Sequence, residues 1–154
     1  MDKLTYEQVK KLYNPTQGVV TINYQVGGEA IPVQLKTELS LADTSAFVDY
    51  VVLGSFTDDG DYIPEYQELM IFGAVLRFLS NVPLPETEDY EGEERMVDLA
   101  TLHELMNSTD LLTRIRAMYN SEDEYERRLW KLFDRLDCMA LEKISFLQQK
   151  MASK

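Results

Sequence analysis

Two rhythms of apolar residues divide this chain. Around Gly27-Gly28 every second residue is apolar, from Val20 to Tyr24 on one side and from Ile31 to Leu35 on the other. Alternation of that kind marks strands that bury one face. The Gly-Gly pair supplies the positive φ that a two-residue hairpin turn needs. It sets Val20 opposite Leu35, Ile22 opposite Val33 and Tyr24 opposite Ile31, with Thr21, Asn23, Gln25, Gln34 and Lys36 on the other face. A slip by one residue would turn the apolar set out to water, so the register is strongly specified. Pro32 then faces Asn23 at a non-bonded site, where its missing N–H points outward. This predicts an edge strand over 29–37 and leaves the far edge of 19–26 open to a strand from a partner.

Elsewhere the period lengthens to that of helices. Thr5 and Gln8 form a capping box for a short helix over 6–13, closed by Asn14-Pro15, with Val9, Leu12 and Tyr13 expected to dock it on the core. Ser40 and Asp43 open a helix over 41–55 that carries Phe47, Val48, Tyr50, Val51 and Val52. After a turn at Thr57-Asp58-Asp59-Gly60-Asp61, Pro64 suits the first position of a helix running to Ser80. That helix is apolar almost all round and is expected to be the most deeply buried, with Gly73 allowing close approach. Val82-Pro83-Leu84-Pro85 breaks the chain, and helices follow over 94–107 and 110–119.

The last helix, 122–151, has the widest apolar surface. Ser121 and Glu124 fit a capping box at its start. At about 100° per residue, its apolar side chains fan over roughly 220°, whereas a surface helix needs only slightly more than about 100°. The surplus predicts a spine shared with another chain, anchored by Trp130, Leu141, Ile144 and Leu147. Across the helix, Arg127, Lys131 and Arg135 form a basic row, with Arg128 beside it, expected to receive acids from the 86–94 loop or from a neighbouring subunit.

The fold expected is α+β and mostly helical: an N-terminal β-hairpin packed on a helical bundle with a long C-terminal helix. One domain spans 1–154, with the hairpin and two core helices in 1–85, an acidic loop in 86–94 and a helical extension in 95–154. The length of 154 residues suits one core. No apolar run reaches the ~18 residues that cross a bilayer, and one cysteine cannot staple the chain. The exposed position expected for Cys138 suits a reducing compartment.

Charge narrows the choice of partner. The net charge is −12, half of it from residues 86–98. Such a surface argues against nucleic-acid binding, which relies on neutralising phosphates. Asp58, Asp59 and Asp61 flank a glycine too early for a calcium loop. The lone His103 has no companion ligands. The paired carboxylates sit at helix starts or in the loop, where they favour the helix dipole or solubility. No phosphate loop, nucleophile elbow or zinc-protease motif occurs. No catalytic, cofactor or metal site is therefore expected. An enzyme with a scattered carboxylate site would need Asp58, Asp61 and Glu65 in one pocket.

The block from Val20 to Pro85 resembles small proteins encoded in the morphogenesis regions of tailed phages and prophages. The resemblance lies in the strand pair, then Phe47-Val48-Asp49-x-Val51-Val52, then Phe56-x-Asp58-x-Gly60-x-Tyr62-x-Pro64-Glu65, an apolar helix, and the exit at Asn81-Val82-Pro83. It implies a non-enzymatic head or tail assembly protein, in the host cytoplasm or the virion. Other morphogenesis proteins and further copies of itself would be its partners. It brings no catalytic residues and does not reach 94–154. The alternative is an acidic inhibitor that imitates nucleic acid to occupy a DNA-binding protein.

Overall fold

The computed structural model describes residues 1–12, 18–86 and 97–152. Its architecture is the α+β, mostly helical one expected. The hairpin pairs β1 (Val19–Val26) with β2 (Glu29–Lys36) in the expected register, Asn23 against Pro32 included. Gly27 and Gly28 both take positive φ, so the turn is the one the Gly-Gly pair suits. Val20, Ile22, Val33 and Leu35 are buried. Toward the tip the face opens: Tyr24 is half-buried and Ile31 is exposed, so the buried face is shorter than the alternation implies.

Helix α1 (Tyr6–Leu12) forms with the expected box, Thr5 and Gln8 exchanging backbone-to-side-chain bonds of 2.9 and 3.2 Å. Val9 does not dock as expected. It is 45% exposed, and residues 1 to 11 are exposed throughout. The local cap marks the start of the helix, and none of its described side chains is buried. Tyr13 and the Leu12 side chain lie outside the described residues.

Helix α2 (Leu41–Gly54) starts where Ser40 Oγ accepts the Asp43 N–H, a cap worth about 1 kcal/mol. Helix α3 (Pro64–Ala74) does not continue regularly to Ser80; Val75–Leu79 form a π turn. Every residue from Leu69 to Leu76 is buried, as expected of the deepest helix. The π turn adds a residue to the turn, leaving Arg77 exposed and bringing Leu79 into the core. Gly73 is needed for packing, because a Cβ there would come within 2.9 Å of the Tyr50 hydroxyl.

The exit from that turn closes one side of the hairpin. Ser80 bridges to Leu35, and Asn81 behaves like a third strand. Its side chain accepts the Gln34 N–H at 2.9 Å and donates to the Pro32 carbonyl at 3.3 Å, and its N–H reaches the Gln34 carbonyl.

The bounds of all three helices in the second half differ from those expected, and the helix expected over 94–107 leaves out Val97 and Asp98. Helix α4 spans Leu99–Ser108, capped by Asp98, whose carboxylate takes the Thr101 N–H and hydroxyl. Helix α5 spans Leu111–Arg116 and ends in a 3-10 turn, Ala117–Asn120. The final helix α6 (Glu124–Ala152) begins two residues later than expected. Asp123 caps it by accepting the Glu126 N–H, while the Ser121 hydroxyl donates to the Glu126 carboxylate. Ser121 and Glu124 therefore do not form the anticipated box.

Leu129, Leu132, Phe133, Leu136, Ala140 and Ile144 make the buried stripe of α6. This stripe meets α2, α5 and β1 in one core. Near the start of α6, the Tyr125 ring lies against Gly18, where an added Cβ would fall 1.9 Å from its Cδ1. The Thr37 hydroxyl holds the Gly18 carbonyl at 2.8 Å.

Replacing fully buried Leu136 by Ala should cost about 2–5 kcal/mol, whereas Leu141→Ala should stay within about 0.5 kcal/mol. Urea unfolding of both variants checks this; equal losses would mean the assignment of the two faces of α6 is wrong.

Candidate interaction surfaces

The residues expected to anchor a partner separate in the structure. Ile144 is 2% exposed and belongs to the core, so it is not a contact residue. Trp130 and Leu147 are half-buried against that core. Trp130 is further occupied by an edge-on Tyr119 ring, with centroids 4.7 Å apart. Only Leu141, at 41%, stands out from the helix.

The larger apolar surplus lies on the other flank of α6. Leu41 on α2 is 87% exposed and Phe146 on α6 is 62% exposed, with Met139 beside them. They border a groove of about 520 Å³ between the two helices, with Val48 and Thr44 in its floor. Lys143 reaches across the groove to the Asp49 carboxylate and pins its walls together. A wheel shows that Met139 and Phe146 share a direction. It does not show that α2 stops short of covering them, so this patch was missed.

The basic row also changes membership. The Arg127 guanidinium turns back to donate to the Ser121 carbonyl at 2.6 Å, which ties it to the start of its own helix. Arg128, Lys131 and Arg135 instead line a second groove of about 470 Å³ with Thr37, Glu38, Leu39 and Leu132. Arg128 is paired with Glu124 at 2.7 Å. Lys131 and Arg135 are exposed, and neither has an ion-pair partner among the described residues. In a chain of net charge −12, two such cations over leucine side chains suit an acidic partner segment. The 86–94 loop expected to supply acids lies outside the described residues beyond Glu86.

A third cluster is structural. Arg116 makes a two-pronged bond to Glu68 at 2.6 and 3.1 Å and lies over the Phe133 ring. Burial pushes the Asp137 carboxyl up, while nearby Arg116 pulls it down. Arg114 sits 2.9 Å from Asp110 and over the Tyr24 ring, and the Tyr24 hydroxyl donates to Asp110 at 3.1 Å. These contacts fasten the hairpin to α5.

Cys138 is exposed, and the neighbouring Asp134, then burial and Asp137, push its thiol up, away from the reactive thiolate. His103 is exposed, and among the described residues its ring nitrogens have the Asn107 amide as hydrogen-bond partner, at 3.3 and 3.4 Å. Asp58 and Asp61 sit exposed in a turn closed by the Thr57 hydroxyl and carbonyl. No group of three acids, histidines or cysteines among the described residues could hold a metal ion. No described helix is long and apolar enough to cross a membrane.

Tyr24 is the titratable reporter of the hairpin contact. Burial first, and the Asp110 hydrogen bond second, raise its pKa to about 12. The folded chain therefore favours the neutral phenol. The stabilisation is complete below the ordinary tyrosine value of about 10 and is lost as pH rises through about 12. Tyr24→Phe should remove a tyrosine that titrates near pH 12 from an absorbance titration and flatten the fall of stability over that window. An unchanged titration curve would contradict the contact.

No protein-family model, curated protein or solved structure matches the chain.

Proposed function

We propose that the chain is a non-enzymatic structural or assembly protein of a tailed phage, acting through protein–protein contacts in head or tail morphogenesis. Its place would be the host cytoplasm or the virion. The observation that carries the reading is the uncovered apolar groove of Leu41, Met139 and Phe146 in a chain whose core is otherwise well closed. The likeness of Val20 to Pro85 to phage morphogenesis proteins supplies the biological setting.

Magnitudes indicate how such a surface would work. Fully burying a large apolar side chain is worth roughly 1.5–3 kcal/mol, and association costs about 4–15 kcal/mol in lost freedom. Three exposed side chains are too few to hold a partner alone. The groove needs a second contact, and the Lys131–Arg135 shelf is suited to supply one through an acidic segment of a morphogenesis protein. This division fits assembly, in which contacts must form in order and remain reversible until several act together.

Deleting the chain from the phage or prophage that carries its gene should leave heads or tails unfinished in electron micrographs. Phe146→Asp should fail to restore particle yield while keeping wild-type unfolding behaviour, and Lys131→Glu with Arg135→Glu should lower the yield further. Full yield from the deletion would remove the assembly role. Full yield from a folded Phe146→Asp protein would remove the groove from it.

A further inference from the structure

We propose that the outer edge of β1 is a self-association surface, on which two copies join their β1 strands antiparallel across a twofold axis to build one continuous four-stranded sheet. The inference stands on the hairpin alone and does not depend on a phage role.

The bonding pattern sets the direction of the free groups. In a hairpin with a two-residue turn the closing pair, Val26 and Glu29, is hydrogen-bonded, and bonded pairs then alternate with non-bonded ones. Thr21, Asn23 and Gln25 fall on the non-bonded sites, so their N–H and C=O groups point away from β2. The sheet has two strands, and none of these three residues has a hydrogen-bond partner among the described residues. All three are exposed.

The two edges of the hairpin are treated differently. On β2, Pro32 removes a donor, Asn81 occupies the Pro32 and Gln34 groups, and Ser80 bridges to Leu35. Glu29 and Lys36 add charge at its ends. These are the devices that keep strand edges from pairing. β1 reads Val-Val-Thr-Ile-Asn-Tyr-Gln-Val: eight residues with no charge and no proline, and its register runs without a bulge. Only one edge is protected.

A second copy is the occupant that this edge fits. Most of the surface of a chain with net charge −12 repels its own copies, and β1 is an uncharged stretch within it. With the twofold axis at Asn23, Asn23 meets Asn23 of the second copy and Thr21 meets its Gln25, so neutral polar side chains face one another. On the helix-facing side Ile22 meets Tyr24 of the second copy, which extends the apolar layer already built by Val20, Ile22, Val33 and Leu35. The strand is its own complement.

Sedimentation equilibrium across concentration, paired with hydrogen exchange, tests this on the full chain. The wild type should show a monomer–dimer equilibrium, and the Thr21, Asn23 and Gln25 amides should gain protection as the dimer fills. Asn23→Pro removes an N–H that the hairpin does not use, opposite a proline the hairpin already tolerates. It should weaken association roughly tenfold or more through the lost central bonds. In a Cys138→Ser background, Asn23→Cys should form a disulfide-linked dimer in air, because directly opposed bonded residues lie about 5.5 Å apart at Cα. A wild type that stays monomeric, or a dimer whose three amides exchange freely at every concentration, would overturn the proposal. The exchange measurement decides even if Asn23→Pro fails to fold.

Discussion

One row of side chains on α6 constrains the whole molecule. Leu129, Leu132, Phe133, Leu136, Ala140 and Ile144 recur at helical spacing and are nearly sealed from water. Each must find an apolar neighbour, and α2, α5 and β1 are the elements in reach. A methyl at Ala140 keeps the ridge low there, whereas Phe133 fills the wider gap beneath Arg116. The stripe thus sets where the hairpin and both helical layers sit, and what they leave uncovered. Met139 and Phe146 lie just beyond the cover of α2, whose own first residue, Leu41, stands exposed beside them, and Lys131 and Arg135 lie just beyond the reach of the hairpin exit.

Features decided by neighbours in sequence were legible in advance. Gly27-Gly28 and the alternation beside it fixed eight strand pairs, because a shifted register would expose Val20, Ile22, Val33 and Leu35 together. The Ser40 cap, the Thr5–Gln8 box and the all-round apolar helix at Leu69–Leu76 are equally local. The cap of α6 was misplaced by two residues because Ser121 and Asp123 are both competent acceptors. Sequence spacing does not say which of them turns toward the free N–H groups.

Features decided by distant neighbours were not legible. Period and propensity treat Val75–Leu79 as ordinary helix; the π turn answers to the hairpin edge that Ser80 and Asn81 must reach. Ile144 sits within the apolar arc of the wheel, and the core takes it together with Leu129, Leu132, Phe133, Leu136 and Ala140. Exposed apolar side chains stand on a flank of that arc, at Phe146 and Met139, where coverage depends on the length of α2. Arg127 shows the same lesson for charge. Its direction on the wheel matches Lys131, but the Ser121 carbonyl, six residues back and ahead of the helix, captures it.

Two surface types follow from this arrangement, and they differ in kind. In the proposed roles the α2–α6 groove and the Lys131–Arg135 shelf would present shape and charge to a partner of different chemistry, while the β1 edge would present backbone to a second copy. All of it rests on α6 being held along its length by the core. Native-state hydrogen exchange tests that most directly. Amides from Leu129 to Ile144 should open only with global unfolding, together with those of Leu69 to Leu76, while α1 exchanges nearly as fast as an unfolded chain. Fast, independent exchange of the Leu136–Ile144 turns would contradict the account, because the groove would then have only one fixed wall.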